Sequence, residues 1–145
     1  MDNKTILLVE DNADDETLTL HALKKNRIAD KVFVVRDGVE ALDFLFCTNA
    51  YADRDPHDLP RLTLLDLKLP KVDGLEVLRR LRAEERTRRL PIVIFSSSDE
   101  SQDLVTGYKS GANSYVRKSV DFDKFAESLV QLSSYWLVLN EPPFN

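Results

Sequence analysis

Short apolar runs and stretches with helical spacing of apolar residues alternate along the whole chain. The runs "TILLV", "KVFVV", "RLTLLD", "PIVIF" and "SYVRK" lack the polar alternation of a half-exposed strand, as strands covered on both faces do. Between and after them, "ETLTLHALKKN", "GVEALDFLF", "GLEVLRRLRAEE", "SQDLVTGYKSG" and "DFDKFAESLVQLSSYWLVL" place apolar side chains three and four apart. Five strand–helix units predict an α/β fold, a five-stranded parallel doubly wound sheet, in a single domain over residues 1–145. Asp37, Asp73, Asp99 and Asp121 stand where helix caps belong, Asp11 or Asn12 can cap the first helix, and Gly111 stands where the fourth should end. That fourth helix is expected to be weak, because Thr106 and Gly107 inside it lower helix propensity.

One residue disturbs this pattern. Residues 62–70, "LTLLDLKLP", read as a buried strand but carry Asp66, so that carboxylate must sit at the strand's end or suffer a large desolvation cost. In an open parallel sheet, ligands bind outside the carboxyl ends of the strands, near the point where strand order reverses. The residues at those ends are Glu10 and Asp11 after the first strand, Asp66 at the third, Ser96 at the fourth and Lys118 at the fifth. Three neighbouring carboxylates repel one another, and a divalent cation with oxygen ligands is the simplest way to keep them ionised. Magnesium suits that set, because it keeps part of its shell for water and phosphate oxygens. Asp66, central in the sheet, is then the candidate nucleophile toward a phosphoryl donor. The hydroxyl of Ser96 and the ammonium of Lys118 are the candidate donors to its phosphoryl oxygens. Taken singly, each has a plainer explanation as a cap or a surface lysine; five together at the strand ends do not.

Composition narrows the partners. A formal net charge of -5 and a pI near 5.1 disfavour nucleic-acid binding, so no nucleic acid is expected. The N-terminus "MDNKTILLVEDN" has neither the form of a signal peptide nor that of a spanning helix, and no membrane partner is expected. The single cysteine, Cys47, permits no internal disulfide and is expected to be a packed residue; these features fit the cytoplasm. The long connection "CTNAYADRDPHDLP" lacks the glycine and closing glutamate of a calcium loop and is expected to be a solvated loop. The arginines of "RRLRAEERTRR" are expected to form an exposed, salt-bridged face.

The motifs "ILLVEDN", "LLDLKLPKVDG", "PIVIFSSS" and "GANSYVRK" resemble the receiver domain of two-component signalling. Over nearly its whole length the chain is similar to a single-domain response regulator of the flavodoxin- or CheY-like (βα)5 fold. The resemblance implies that Asp66 accepts a phosphoryl group from a histidine kinase, with magnesium held by Glu10, Asp11, Asp66 and the backbone carbonyl of Lys68. It further implies that Tyr115 is the switch aromatic, turning inward as the switch hydroxyl, Ser96, moves toward the phosphoryl group. The protein would then be a phosphoacceptor and not an enzyme. Dehalogenase-type phosphatases, which also use an aspartate after a strand, need an acid two residues later, where this chain has Lys68. A pseudo-receiver that only binds proteins is the alternative. One departure from the family is Ser119, which follows Lys118 where proline is usual. A cis bond before a non-proline residue costs about 3–4 kcal/mol, so a trans peptide and a differently shaped loop are expected.

The chain ends soon after the fifth helix, so output is expected through protein contact. In that helix Phe122, Phe125, Ala126, Leu129, Leu132 and Trp136 form the expected core stripe, while Val130, Tyr135, Leu137 and Val138 lie off it. Residues 135–145 therefore read as an apolar extension used in an interface, with homodimerisation through Tyr135, Trp136, Leu137, Val138 and Phe144 expected. The other reading is that the tail folds back. The tail and the long loop are similar to the small regulators that partner bacterial and cyanobacterial phytochromes, the Rcp1-like group. That likeness implies a phytochrome-type, light-regulated histidine kinase as partner, and dimers joined through the fourth helix, fifth strand, fifth helix and tail.

Overall fold

The computed structural model describes residues 4–143. Its elements run β1 (Thr5–Val9), α1 (Ala13–Asn26), β2 (Lys31–Val35), α2 (Gly38–Phe46), β3 (Leu62–Leu65), α3 (Gly74–Ala83), β4 (Ile92–Ser96), α4 (Ser101–Lys109), β5 (Ser114–Arg117) and α5 (Phe122–Ser134). The strands are parallel in the order β2-β1-β3-β4-β5, so the order reverses at β1 and β3, which place Val9 opposite Leu65 at their carboxyl ends.

Alternate strand residues face opposite layers, and β1, β3 and β4 are buried at every position, which explains why they are mostly apolar. Leu7, Val9, Leu65, Ile92 and Ile94 pack with Ala41, Leu45, Val77, Leu78 and Leu81 from α2 and α3. Ile6, Leu8, Leu62, Leu64, Val93 and Phe95 pack with Ala22 and Leu23 of α1 and Phe125, Leu129 and Leu132 of α5.

Helix starts follow the expected chemistry at four places: the side chains of Asn12, Asp37, Asp73 and Asp121 each accept from a backbone N–H in the first turn. Asp99 does not cap α4. Glu100 occupies the cap position without a side-chain bond, its N–H reaches the Ser98 hydroxyl at 3.3 Å, and Asp99 instead pairs with Arg117 at 3.4 Å. Only Gly107 of α4 is buried, and a Cβ there would lie 2.7 Å from Cδ1 of Ile94 and 3.4 Å from the Tyr115 ring. The residue that weakens this helix locally thus lets it approach β4 and β5.

Three other expectations need correction. Arg82 is not a surface salt-bridge residue: it donates to the carbonyls of Gly111 and Leu90, both at 2.8 Å, and to the Asn113 side chain at 2.9 Å. Arg86 likewise leaves the surface array and donates to the carbonyls of Pro56 and Leu45, whereas Arg79 and Arg80 do pair with Glu76. The long connection is not simply solvated. It contains a 3₁₀ turn, Asn49–Tyr51, whose Tyr51 ring meets Phe44 edge-on and donates its hydroxyl to Glu40, while Arg54 stacks 3.8 Å over Phe44.

The tail folds back in part. After α5 a π-helical turn, Tyr135–Leu139, puts Leu137 at 1% exposure in the core and its carbonyl on Arg61. Leu137 is therefore no surface residue, and half-buried Trp136 also packs on the α1/α5 core layer. Tyr135, Val138 and Leu139 remain exposed, and Phe122, expected in the core, is 58% exposed because it precedes the turn that faces the sheet. Phe144 lies outside the described residues.

The loop that carries Asp66 is fixed by a close backbone approach. The Gly74 N–H donates to the Leu67 carbonyl at 2.8 Å, and a Cβ on Gly74 would stand 2.2 Å from the Asp66 carbonyl oxygen. Gly74→Ala is expected to destabilise the protein by about 2–3 kcal/mol in urea unfolding, since backbone and not a flexible side chain must move. An unchanged midpoint would show that this approach is dispensable.

Candidate functional site

Parallel pairing brings the ends of β1, β3, β4 and β5 to one edge of the sheet. The Glu10 N–H continues the ladder to Val35 and that of Asp66 to Val9, which sets the two acids side by side at the β1–β3 reversal. Glu10 is buried, Asp66 half-buried and Asp11 exposed, and carboxylate oxygens of the three lie within 4.8 Å of one another. The Lys118 N–H donates to the Ser96 carbonyl at 2.7 Å, holding β5 against β4. From there the Lys118 ammonium enters the cluster, 5.8 Å from the Phe95 ring centroid.

Three contacts hold that ammonium: Glu10 Oε1 at 2.5 Å, Asp15 Oδ2 at 2.9 Å and Asp66 Oδ2 at 3.0 Å. The Lys118–Ser119 peptide is trans, as expected without proline, and the lysine still reaches the Asp66 carboxylate. Its side chain is 5% exposed. Burial alone would lower its pKa, but the charge of Asp66 and the contacts of Glu10 and Asp15 outweigh burial and hold it above its ordinary value. For Glu10, burial prevails: it pushes the carboxyl up to about 7, Lys118 offsets this in part, and the charge of Asp66 adds to it. The other Glu10 oxygen accepts from the Asn12 N–H at 3.2 Å.

The remaining expected residues flank this centre. Ser96 is buried at the end of β4, where its hydroxyl accepts from the Ser98 N–H at 3.2 Å. Tyr115 is half-buried and donates its hydroxyl to the Ser98 carbonyl at 3.1 Å, and the Ser98 hydroxyl donates to Asp103 at 2.6 Å. Ser96 and Tyr115 thus meet at Ser98 and not directly. Lys68 stands in the loop after Asp66 with an exposed side chain. Asp15 was not singled out by the strand-end pattern, because it lies in the first turn of α1, where an acid is amply explained by the helix dipole.

The donor set fits a hard divalent cation. It is all oxygen, and it includes a carboxyl whose burial disfavours its ionised form despite the Lys118 contact, a cost that a cation would offset. Glu10, Asp11 and Asp66 are the side chains that would hold such an ion.

The elevated Glu10 pKa has a consequence for the metal-free protein. Because it lies above the ordinary 4.5, folding takes up a proton between the two values. The associated stability is complete below about 4.5 and is lost as pH rises through about 7. With chelator present, the Glu10 contribution is expected to fall by on the order of 3 kcal/mol across that window. Urea unfolding at pH 5 and pH 8 should show a correspondingly smaller change in Glu10→Gln, and equal changes in the two proteins would place the titration elsewhere.

Comparison with known proteins agrees with this architecture. A family model described as the response regulator receiver domain matches residues 6–130. Response regulator Rcp1 of Synechocystis sp. is 35% identical over 134 residues, covering 92% of this chain and 89% of Rcp1. The crystal structure of its Mn2+-bound form matches with a TM-score of 0.88 over 97% of this chain and 99% of that one. The phosphorylated cyanobacterial phytochrome response regulator RcpA matches with a TM-score of 0.90 at 35% identity, over 97% of this chain and 99% of that one. The bacteriophytochrome response regulator AtBRR is 48% identical, with a TM-score of 0.76, over 97% of this chain and all of that one.

Proposed function

The chain belongs to the response regulator receiver domain family, and on that premise we propose that it accepts a phosphoryl group from a histidine kinase on Asp66 and signals through protein contacts. The observation that carries this reading is the Lys118 ammonium, held 3.0 Å from an Asp66 oxygen at the edge of a converged acid trio. An Asp66 oxygen attacks the phosphorus, and the bond from phosphorus to the donor's histidine nitrogen breaks with its electron pair leaving on the nitrogen. Lys118 is placed to pair with a phosphoryl oxygen as negative charge moves there from the carboxylate. Ser96, one strand away, supplies a hydroxyl that can leave the Ser98 N–H for a second phosphoryl oxygen. Glu10, Asp11, Asp66 and the Lys68 carbonyl would hold a magnesium ion, which would supply charge neutralisation when bound. The protein is thus a phosphoacceptor in its own modification and not an enzyme turning over a separate substrate.

The kinase we propose is of phytochrome type, supported by the likeness to RcpA and AtBRR, whose descriptions name phytochrome and bacteriophytochrome. A histidine kinase draws on ATP, so the cytoplasm is the compartment this reading implies. A homodimer is supported by the exposed apolar side chains of Tyr135, Val138 and Leu139 beyond α5 and of Leu104, Val105 and Tyr108 on α4.

Intact mass after incubation with acetyl phosphate and magnesium is expected to show one added phosphoryl group on wild type and none on Asp66→Asn. Labelling of the variant would move the acceptor, and no labelling of wild type by either acetyl phosphate or a histidine kinase would favour a pseudo-receiver. In sedimentation, Val138→Asp with Leu139→Asp is expected to give a monomer, because charges would enter an apolar contact without partners. An unchanged dimer would place the interface away from the tail.

A further inference from the structure

Each of the three N–H groups of Lys118 has a carboxylate to meet, but the three carboxylates differ in kind. Glu10 and Asp66 belong to the trio suited to a cation, and Asp15 does not. Asp15 also comes from a different element, the first turn of α1, where its backbone N–H is held by the Asn12 side chain at 3.0 Å. The helix dipole accounts for an acid at this position, but not for its direction. Glu16, its neighbour, pairs with the exposed Arg36, whereas Asp15, 28% exposed, turns to the buried ammonium.

Phosphoryl transfer changes what Lys118 must bind. Once an Asp66 oxygen is bonded to phosphorus, the negative charge resides on the phosphoryl oxygens, and the ammonium has to exchange an Asp66 oxygen for one of them. Glu10 divides its charge between Lys118 and any cation in the trio. Asp15 is the anchor that neither change involves. We propose that Asp15 is a positioning residue for phosphoryl transfer, the fixed post that aims the Lys118 ammonium at Asp66 before transfer and at the phosphoryl group after it. The inference rests on Asp66 being the phosphoacceptor. Without Asp15, the ammonium is drawn toward Glu10, its nearest and most buried partner, and away from the reacting oxygen.

The test is a double-mutant cycle on the rate of labelling by acetyl phosphate at saturating donor and magnesium, read by intact mass. Asp15→Ala is expected to lower the maximal rate about tenfold. Asp15→Asn, which keeps the shape and loses the charge, should fall similarly, and Asp15→Glu should recover much of the rate. Lys118→Ala is expected to lose about 100-fold, and adding Asp15→Ala to it should change nothing further. Magnesium affinity by calorimetry should move by less than about threefold in the Asp15 variants. The 15N resonance of the Lys118 ammonium should shift or broaden in Asp15→Asn, a signature that a merely structural role would not produce. Wild-type rates in Asp15→Ala and Asp15→Asn, or an equal loss in the Lys118→Ala background, would overturn the proposal. Failure of wild type to label with both acetyl phosphate and a histidine kinase would refute the phosphoacceptor reading itself, and this proposal with it.

Discussion

The neutralisation of one buried ammonium organises the functional end of this protein. Lys118 arrives from β5, Glu10 from the end of β1, Asp66 from the end of β3 and Asp15 from α1, so a single cation ties four separate segments together. Three acids and one lysine leave excess negative charge, and burial makes that excess costly at Glu10 in particular. The same imbalance makes the site suited to a divalent cation. Stability and chemistry are therefore opposed here, and the fully packed strands beneath the site sustain the conflict.

A second consequence is how the site connects to the surface. From Ser96 the contacts pass to Ser98, and from Ser98 they branch to Asp103 on α4 and Tyr115 on β5. All are single hydrogen bonds, and α4 itself buries only Gly107. An element held by so few contacts has low local stability and can be biased by a small change in charge at one end. The exposed Leu104, Val105 and Tyr108 put apolar surface on the same helix.

Elsewhere the chain is anchored more firmly than its composition suggests. Arg54 and Arg86 fix the long connection to α2 through carbonyls and an aromatic face, and Arg82 clamps the turn before β5 to the end of α3. Arg61 holds the tail through the Leu137 carbonyl. Guanidinium suits all four tasks, because several donors on a flat group can satisfy carbonyls that loops leave unpaired.

The sequence by itself determined the fold class, the strand ends that matter and the five residues there. Burial on both faces forces apolar runs, and an acid such as Asp66 at the end of one cannot be mistaken for packing. The caps Asp37, Asp73 and Asp121 were legible as short-range bonds between residues three apart, whereas the first helix was narrowed only to Asp11 or Asn12 and Asp99 proved not to cap. What only the tertiary structure decided depends on contacts between distant segments. Arg82 and Glu85 look alike as charged helix-end residues, yet Arg82 faces loop carbonyls that no local pattern announces. Leu137 and Val138 are equally apolar, and the π-helical turn alone sends one into the core and leaves the other outside. Asp15 reads as an ordinary first-turn acid until Lys118, 103 residues away in sequence, is brought against it. Period and capping report the chain's neighbours along itself; the partners of a long, flexible, charged side chain are set by the packing of the sheet.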